Sequence, residues 1–386
     1  MKKFEIAIIG AGIIGMTCAL QLSKLSNINI TLYGKAPRYS QHKTTAILET
    51  SFGLYKEITS LNESSRYVYK LDKFKIIDQL SNKNKILDFD SNEINLNSFA
   101  YNIKDNDLSK LLNKEIEISK NIKREEFFVK NIKLKLDEVM IETLENKKLY
   151  NLIIGADGRN SLSRDYANID YEHKKYKENI LVTTIDHTND HQSTSYEIHK
   201  NGSLLTSVPL SKKKSAIVYI NDKNILENLI KENKLQDIFN LSLRDFLGEI
   251  TINSDISQLP SEVIVVKKLA KNRTILVGES AHVIPPLGAQ GLNLGIRDIK
   301  EIFSLLKENN AIEPGSKIIL NKYNEHRWLD IYKRQKSVNI LYNSMMGDNP
   351  KYQLLRNIGF LGLNKSKILR KFLLNEGLVL NANSKK

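Results

Sequence analysis

Three glycine-rich runs hold the residue types that could do chemistry in this chain. The densest is Gly278 to Asp298, read as G-E-S-A-H-V-I-P-P-L-G-A-Q-G-L-N-L-G-I-R-D. It carries Gly278, Gly288, Gly291 and Gly295 and the pair Pro285-Pro286, residues that set unusual backbone angles. A helical pattern begins at Leu292, with Ile296, Ile299, Ile302 and Phe303 on the same face. Such a loop at a helix start aims backbone N–H groups at something electron-rich. The second run, Gly10-Ala11-Gly12-Ile13-Ile14-Gly15, has the G-x-G-x-x-G spacing of a dinucleotide site. There Gly10 permits a tight turn, Gly12 lets a pyrophosphate approach, and Gly15 lets the helix pack on the strand. The third is Gly155-Ala156-Asp157-Gly158-Arg159-Asn160-Ser161. Taken singly, it reads as an ordinary Asp-Gly turn, and the Gly278 loop as a tight structural one.

Other chemistry has little support. The 7 His are scattered, without a spacing such as H-E-x-x-H, so neither a metal site nor a catalytic triad is expected. His282 could act as an acid or base, but a structural role in its loop is preferred. Arg297 and Asp298 are expected to hold the helix rather than meet substrate.

Each run needs a strand in front of it. Phe4 to Ile9, Leu149 to Ile154 and Thr274 to Val277 read as buried strands, and Ile28 to Tyr33 as the strand after the first helix. Three strand-then-glycine-loop units suit an extended cofactor touched by several loops of one sheet. An Asp or Glu is expected at the end of the second strand to hold ribose hydroxyls. Tyr33-Gly34-Lys35 stands there instead. Either backbone and water hold the ribose, or cofactor affinity is lower than usual. From about Asn168 to Val266 the pattern changes. Asn179 to Ile185, Leu204 to Val208 and Ser215 to Ile220 read as an antiparallel sheet, and Lys223 to Phe246 as a helix.

A chain of 386 residues can bury a large core as two domains or one large composite. The 41% apolar and 26% charged fractions are those of a globular protein in water. The single cysteine, Cys18, excludes an internal disulfide and reads as a core residue of the first helix. The net charge of +14 is spread over scattered Lys residues, with no nucleic-acid motif, so no nucleic-acid partner is expected. Lys2-Lys3 and the apolar run to Leu20 resemble a short signal peptide, but the glycine spacing inside argues against one. No apolar run is long enough to cross a bilayer, and a cytoplasmic location is expected. The tail from Leu354 to Leu378 is both basic and apolar. Ile368, Leu369, Phe372 and Leu373 share a face beside Lys367, Arg370 and Lys371. That face either packs on the protein's own body or lies on an anionic membrane as a peripheral contact.

Together these residues resemble the single-component flavoprotein aromatic monooxygenases of class A, with the para-hydroxybenzoate hydroxylase fold. Within that class the chain is similar to the FAD-dependent ubiquinone-biosynthesis hydroxylases, such as 2-octaprenyl-6-methoxyphenol hydroxylase. The pattern A-H-x-x-x-P-x-x-x-Q-G-x-N-x-G-x-R-D is distinctive of that group. Here it is Ala281, His282, Pro286, Gln290, Gly291, Asn293, Gly295, Arg297 and Asp298. Lys43-Thr44-Thr45-Ala46 matches a family R-T-T-A segment, with Lys for Arg, and Phe99 to Ile103 matches F-G-Y-N-I. Tyr323, Arg327 and Asp330 match Y-x-x-x-R-x-x-D, and a following T-D pair appears as Val338-Asn339.

The resemblance implies an α/β (α+β composite) fold: a Rossmann-like FAD-binding domain with an antiparallel-sheet substrate domain. The first would comprise 1–73, 96–167 and 267–345, the second 74–95 and 168–266, with 346–386 a helical C-terminal segment. It implies FAD held by Gly10, Gly12, Ile13, Ile14, Gly15 and Lys43 and by Asp157 and Gly158. It extends the site to Gly278, Glu279 (for a family Asp), Pro286, Gly288, Gln290, Gly291, Leu292 and Asn293. It implies hydroxylation of a prenylated phenol by O₂ through a flavin C4a-hydroperoxide, with NADPH or NADH as donor. No residue is certain to be catalytic, since the flavin does the chemistry; Pro286 and His282 are the candidates. Contact with other ubiquinone-biosynthesis proteins and with a membrane surface is also implied. Two alternatives stay open: a catabolic hydroxylase of a small soluble phenol, and a non-catalytic FAD-binding assembly subunit. A halogenase W-x-W-x-I-P motif is impossible, because Trp328 is the only Trp.

Overall fold

Phe4–Ile9 lies inside a six-stranded sheet of the computed structural model, and its branched apolar residues explain why. Ile6 and Ile8 pack under helices, while Ala7 and Ile9 pack against a small three-stranded sheet on the other face. The structure describes residues 3–37, 39–40, 42–79, 85–200, 202–346 and 350–377. The sheet order is Ala270–Lys271, Thr274–Leu276, Leu152–Gly155, Phe4–Ile9, Ile28–Tyr33, Ile122–Glu125. All neighbours are parallel except the first pair. Leu276 is in register with Gly155, Gly155 with Ile9, and Ile9 with Tyr33. These four strands therefore end level, on one edge.

The expected strand from Leu149 to Ile154 is two strands. Lys147–Tyr150 closes an antiparallel meander, and Leu152–Gly155 enters the parallel sheet. Asn151 makes the turn, its N–H donating to the Glu5 carbonyl at 2.8 Å. The first helix, Ile13–Leu22, buries Cys18 completely, and burial pushes the thiol pKa up, so it packs as a small apolar group.

The second large sheet has nine strands and is almost wholly antiparallel. Its core strands are Tyr171–His187, Lys214–Asp222, Ser203–Ser211 and Thr194–Lys200. Lys73–Asp78 and Lys85–Asp90 extend it at one edge. Helices cover one of its faces. The single helix expected from Lys223 to Phe246 is two, Lys223–Lys231 and Leu235–Leu247. Asn233 between them takes a left-handed φ of 55°, which a right-handed helix cannot carry through.

A smaller sheet of Thr44–Leu48, Ala100–Lys104 and Tyr69–Leu71 sits between the two. The Asn102 amide donates from it to the Pro209 carbonyl of the nine-stranded sheet at 2.8 Å. The helix after the Gly278 loop is Gln290–Glu308, starting two residues before the expected Leu292. Lys317–Met346, Pro350–Lys365 and Lys367–Gly377 follow.

One side of the C-terminal helices packs on the protein's own body. Phe360, Leu363 and Leu374 pack with Phe89 and Leu71, and the Arg370 guanidinium donates to Glu93 at 2.6 Å. The other side leaves Ile368 83% and Phe372 62% exposed. Leu378 and the residues after it lie outside the described residues.

Candidate active site

Level strand ends bring the three glycine loops together. The Gly10 N–H donates to the Tyr33 carbonyl at 2.9 Å, Ala156 N–H to Ile9 at 2.8 Å, and Val277 N–H to Gly155 at 3.0 Å. Strand register alone therefore brings together loops from the start, middle and late part of the chain.

The glycines of these loops divide by what a Cβ would meet. At Gly10 it would lie 2.3 Å from the Ala156 carbonyl oxygen, and at Gly15 1.8 Å from that of Gly10. At Gly295 it would lie 2.7 Å from Ile14 Cδ1. Those glycines let the protein pack on itself. At Gly158 and Gly291 nothing lies within 4 Å, and at Gly12 only the Tyr39 hydroxyl at 3.7 Å. Gly288 meets only the end of the Gln290 side chain, at 3.5 Å. Openness alone is not a site, since Gly53, on the exposed side of the helix Glu49–Ile58, is equally open. These four instead lie in the three glycine-rich segments gathered at one sheet edge, Gly291 in the first turn of the helix Gln290–Glu308, and they leave room for a large ligand against the backbone.

Side chains brace the loops. The Asp157 carboxylate accepts from the Ser161 hydroxyl at 2.6 Å and from the Ser163 N–H at 2.9 Å. Arg159 donates to both Glu279 oxygens, at 3.1 and 3.0 Å, and to Glu262 at 2.9 Å. Asp157 and Glu279 are thus committed to protein partners, and their loops keep backbone groups for a ligand. Ile14 lies under Gly278 and Gly295. Lys43 Nζ is 3.5 Å from the Asp105 carboxylate and 5.1 Å from the centre of the Tyr39 ring. Asn293 is fully buried. Its amide donates to the Ala46 and Ala289 carbonyls at 3.0 and 2.6 Å, and its oxygen accepts from the Leu48 N–H at 3.0 Å. It clamps the strand Thr44–Leu48 to the start of the helix. Gln290 donates to the Gly288 carbonyl at 2.9 Å. Leu292 is half-buried and Pro286 is exposed.

His282 sits in a buried charge network. Its Nε2 is 2.7 Å from Asp298 Oδ2, and Asp298 also accepts from the Gly278 N–H at 3.1 Å and from Arg327 at 2.9 Å. Arg327 continues to Asp330 at 2.5 Å, and Asp330 to Arg297 at 3.1 Å. The Tyr323 hydroxyl donates to the Leu276 carbonyl at 3.1 Å. The late Tyr323, Arg327, Asp330 motif is therefore the anchor of the Gly278 loop. Burial opposes ionisation of Asp298, yet the charges of His282 and Arg327 hold its carboxyl below the usual range. Asp330 is depressed likewise, by Arg327 and Arg297 against burial. Depressed carboxyls contribute stability above the unfolded pKa of about 3.9, and it is lost as pH falls through the folded value. Circular dichroism between pH 6 and pH 2 should show wild type losing stability more steeply below about pH 4 than Asp330→Asn. Parallel curves would remove Asp330 from that role.

Among the described residues, the carboxylate beside the end of the second strand is not free. Glu125, in register with Tyr33, accepts from Lys148 at 2.6 Å and pairs with Lys123 at 2.9 Å. Arg124 donates to the Gly34 carbonyl at 3.3 Å. One residue at the first loop had no signal in the sequence: the Tyr39 hydroxyl accepts from the Ile13 N–H at 3.3 Å. Burial pushes its pKa up to about 12, so it stays neutral. Only the path of the chain after the second strand brings it there. Arg159 had a signal, because it lies inside the Gly155 to Ser161 motif.

A family model described as an FAD binding domain matches residues 3–330. The chain belongs to the FAD binding domain family. FAD is the cofactor that membership assigns, and the open glycines fit an extended dinucleotide laid over backbone N–H groups. The chain is 26% identical over 252 residues to the ubiquinone hydroxylase UbiM of Neisseria meningitidis, a match covering 64% of this chain and 54% of that one. It is 23% identical over 246 residues to the 3-demethoxyubiquinol 3-hydroxylase of Escherichia coli, covering 59% of each. The matches thus span somewhat over half the length of these relatives. The p-nitrophenol 4-monooxygenase PnpA of Pseudomonas putida has the same fold. Its TM-score is 0.77 at 18% identity, covering 99% of this chain and 100% of that one. The fold of this FAD binding domain protein is therefore the para-hydroxybenzoate hydroxylase type that its motifs implied.

Proposed function

We propose that this protein is an FAD-dependent monooxygenase that hydroxylates the aromatic ring of a prenylated phenol in ubiquinone biosynthesis. O₂ is the co-substrate and NADPH or NADH the electron donor. The observation that carries the reading is the set of open glycines in three glycine-rich segments at one sheet edge, where an added Cβ would meet nothing in the protein closer than 3.5 Å. The relatives named as ubiquinone hydroxylases support the substrate class.

Bound flavin would supply the electrons and the oxygen activation. The chain does the rest. Gly12 and the N-terminus of Ile13–Leu22 would take the pyrophosphate, and the Gly155 to Ser161 loop would lie beside it. N–H groups from Gly288 to Asn293 would stabilise negative charge at the flavin's electron-rich edge. Exposed Pro286 would form a rigid wall at the ring. The nine-stranded sheet would cover the substrate. Its face toward the Gly278 loop carries Ile180, Leu204 and Ile220, packed with Leu287, Tyr342 and Met345. A substrate path opening along those residues would be apolar, which would exclude water and suit a prenylated substrate better than a small soluble phenol.

Purified protein should be yellow, or become so with FAD, and a gene deletion should accumulate a hydroxylation precursor of a prenylated quinone. Protein that takes up no flavin would sink the reading and favour a non-catalytic role. Gly291→Val should retain FAD, because its Cβ meets nothing in the protein. Hydroxylation should nevertheless fall about 100-fold as the side chain blocks N–H groups at the flavin edge. Unchanged turnover would count against the assigned loop.

The proposal extends to location. No helix among the described residues is long and apolar enough to cross a membrane. The exposed Leu354, Ile358, Ile368 and Phe372, with Lys365, Lys367 and Lys371 near them, suit peripheral contact with an anionic cytoplasmic membrane surface. Co-sedimentation with vesicles containing phosphatidylglycerol, lost in Ile368→Asp/Phe372→Asp, is the expected result. Equal sedimentation of both would reject it.

A further inference from the structure

The outward face of the helix Lys317–Met346 carries a stripe that the flavin site does not use. Tyr323, Arg327 and Ile331 turn inward, where Arg327 holds Asp298 behind the Gly278 loop. On the outward side Trp328, Leu329 and Tyr332 are 46%, 50% and 42% exposed. The Trp328 and Tyr332 rings stack, with centres 5.0 Å apart and planes 10° from parallel. Lys336 Nζ lies 5.5 Å from the centre of the Tyr332 ring. One exposed apolar side chain needs no explanation. An indole, a phenol and a leucine gathered on one helix do, since Trp and Tyr concentrate where proteins meet.

Helical spacing fixes the order of the stripe. Glu325, Leu329, Tyr332 and Lys336 follow one another at steps of four, three and four residues, the repeat of a coiled-coil seam. All four are exposed. Among the described residues, Glu325 and Lys336 take no part in the ion pairs of this helix, which engage His326, Arg327 and Asp330. The stripe is also symmetric. About the point midway between Asp330 and Ile331, Leu329 mirrors Tyr332 and Glu325 mirrors Lys336. A second copy of the helix, antiparallel about that point, sets Leu329 against Tyr332 of the other chain and Glu325 against its Lys336. Trp328 then falls beside Lys333, a cation next to an indole. A parallel pairing would set Glu325 on Glu325 and Lys336 on Lys336. Charge complementarity therefore selects the antiparallel arrangement, and two-fold symmetry makes each contact twice.

We infer that this protein pairs with a second copy of itself through this stripe, with the two Lys317–Met346 helices antiparallel about a two-fold axis. Leu329 and Tyr332 form the apolar centre, Trp328 closes its edge, and a Glu325–Lys336 pair flanks it on each side. The flanking charges fix register and direction, while the desolvated rings supply most of the affinity. The pairing leaves the glycine loops open, because the stripe lies on the side of the helix turned away from Asp298 and the Gly278 loop. It stands independently of the reaction proposed above.

Sedimentation velocity on the full-length protein should show a species of twice the chain mass at micromolar concentration. Glu325→Lys and Lys336→Glu should each weaken that dimer by about 100-fold, because each sets like charges together on both sides of the seam. An equimolar mixture of the two variants should dimerise to within about threefold of wild type, since every Lys then meets a Glu across the seam. Recovery in the mixture also shows that both variants are folded. Trp328 is the only Trp, so its emission reports this surface alone. Dilution of wild type should shift that emission to the red as water reaches the indole, and neither single variant should show the shift. A monomeric wild type, single variants that stay dimeric, or a mixture that does not recover overturns the inference. So does monomeric wild type that sediments with phosphatidylglycerol vesicles where Trp328→Ala does not, a result that would give the stripe to a membrane instead.

Discussion

Gly12→Val yields a folded protein that retains no FAD. A Cβ at Gly12 meets nothing closer than the Tyr39 hydroxyl at 3.7 Å, so the substitution disturbs little of the protein itself. The space it fills is the approach to the N-terminus of Ile13–Leu22, where N–H groups converge and the helix dipole favours phosphate. Two added methyl groups hold a pyrophosphate off those donors. Affinity for FAD should drop by about 1,000-fold or more, roughly 4 kcal/mol. The thermal midpoint of the flavin-free protein should stay close to that of flavin-free wild type. Gly15→Ala is the contrast, since its Cβ would fall 1.8 Å from the Gly10 carbonyl oxygen. That variant should lose folded protein as well as flavin. Retention of FAD by Gly12→Val at normal stoichiometry would refute the pyrophosphate assignment.

Arg327→Ala should destabilise the protein by about 3–5 kcal/mol, the usual result of leaving a buried charge without its partner. Arg327 is only 5% exposed and Asp298 is fully buried. The guanidinium reaches Asp298 at 2.9 Å and Asp330 at 2.5 Å. Without it, Asp298 keeps only His282 and the Gly278 N–H, and Asp330 keeps Arg297. Lys at this position should restore less than half of the loss, because one ammonium cannot reproduce the planar fork. Urea unfolding should show a lower midpoint with an unchanged slope. A loss under about 1 kcal/mol would mean that the network is not the anchor of the Gly278 loop.

Much of the cofactor half of the fold was legible because it rests on local rules. The fingerprint at Gly10 to Gly15 needs its strand and its helix, and both flank it in the chain. Ile28 to Tyr33 was read with its observed ends. The errors came where a local pattern had to choose between partners. Leu149 to Ile154 is uniform enough to read as one strand, yet its halves join different sheets. Lys223 to Phe246 is helical by period, but Asn233 breaks it with one left-handed residue.

The partners of individual side chains were less legible than the glycine loops themselves. Asp157 and Glu279 are polar residues in cofactor motifs, and only the packed structure shows their carboxylates held by Ser161, Ser163 and Arg159. His282 was open between chemistry and architecture, and its 2.7 Å contact with Asp298 depends on a helix residue 16 positions later. Tyr39 left no trace, because its loop has no pattern that points at Ile13.

The sequence by itself determined that three strands end in glycine loops, and that these loops suit a long anionic cofactor. That follows from backbone sterics, which act within a few residues. The tertiary structure alone decided that Leu276, Gly155 and Ile9 end level, which glycines face open space, and which charges are spent on each other. Those outcomes depend on register and burial between segments more than a hundred residues apart, and no local pattern encodes them.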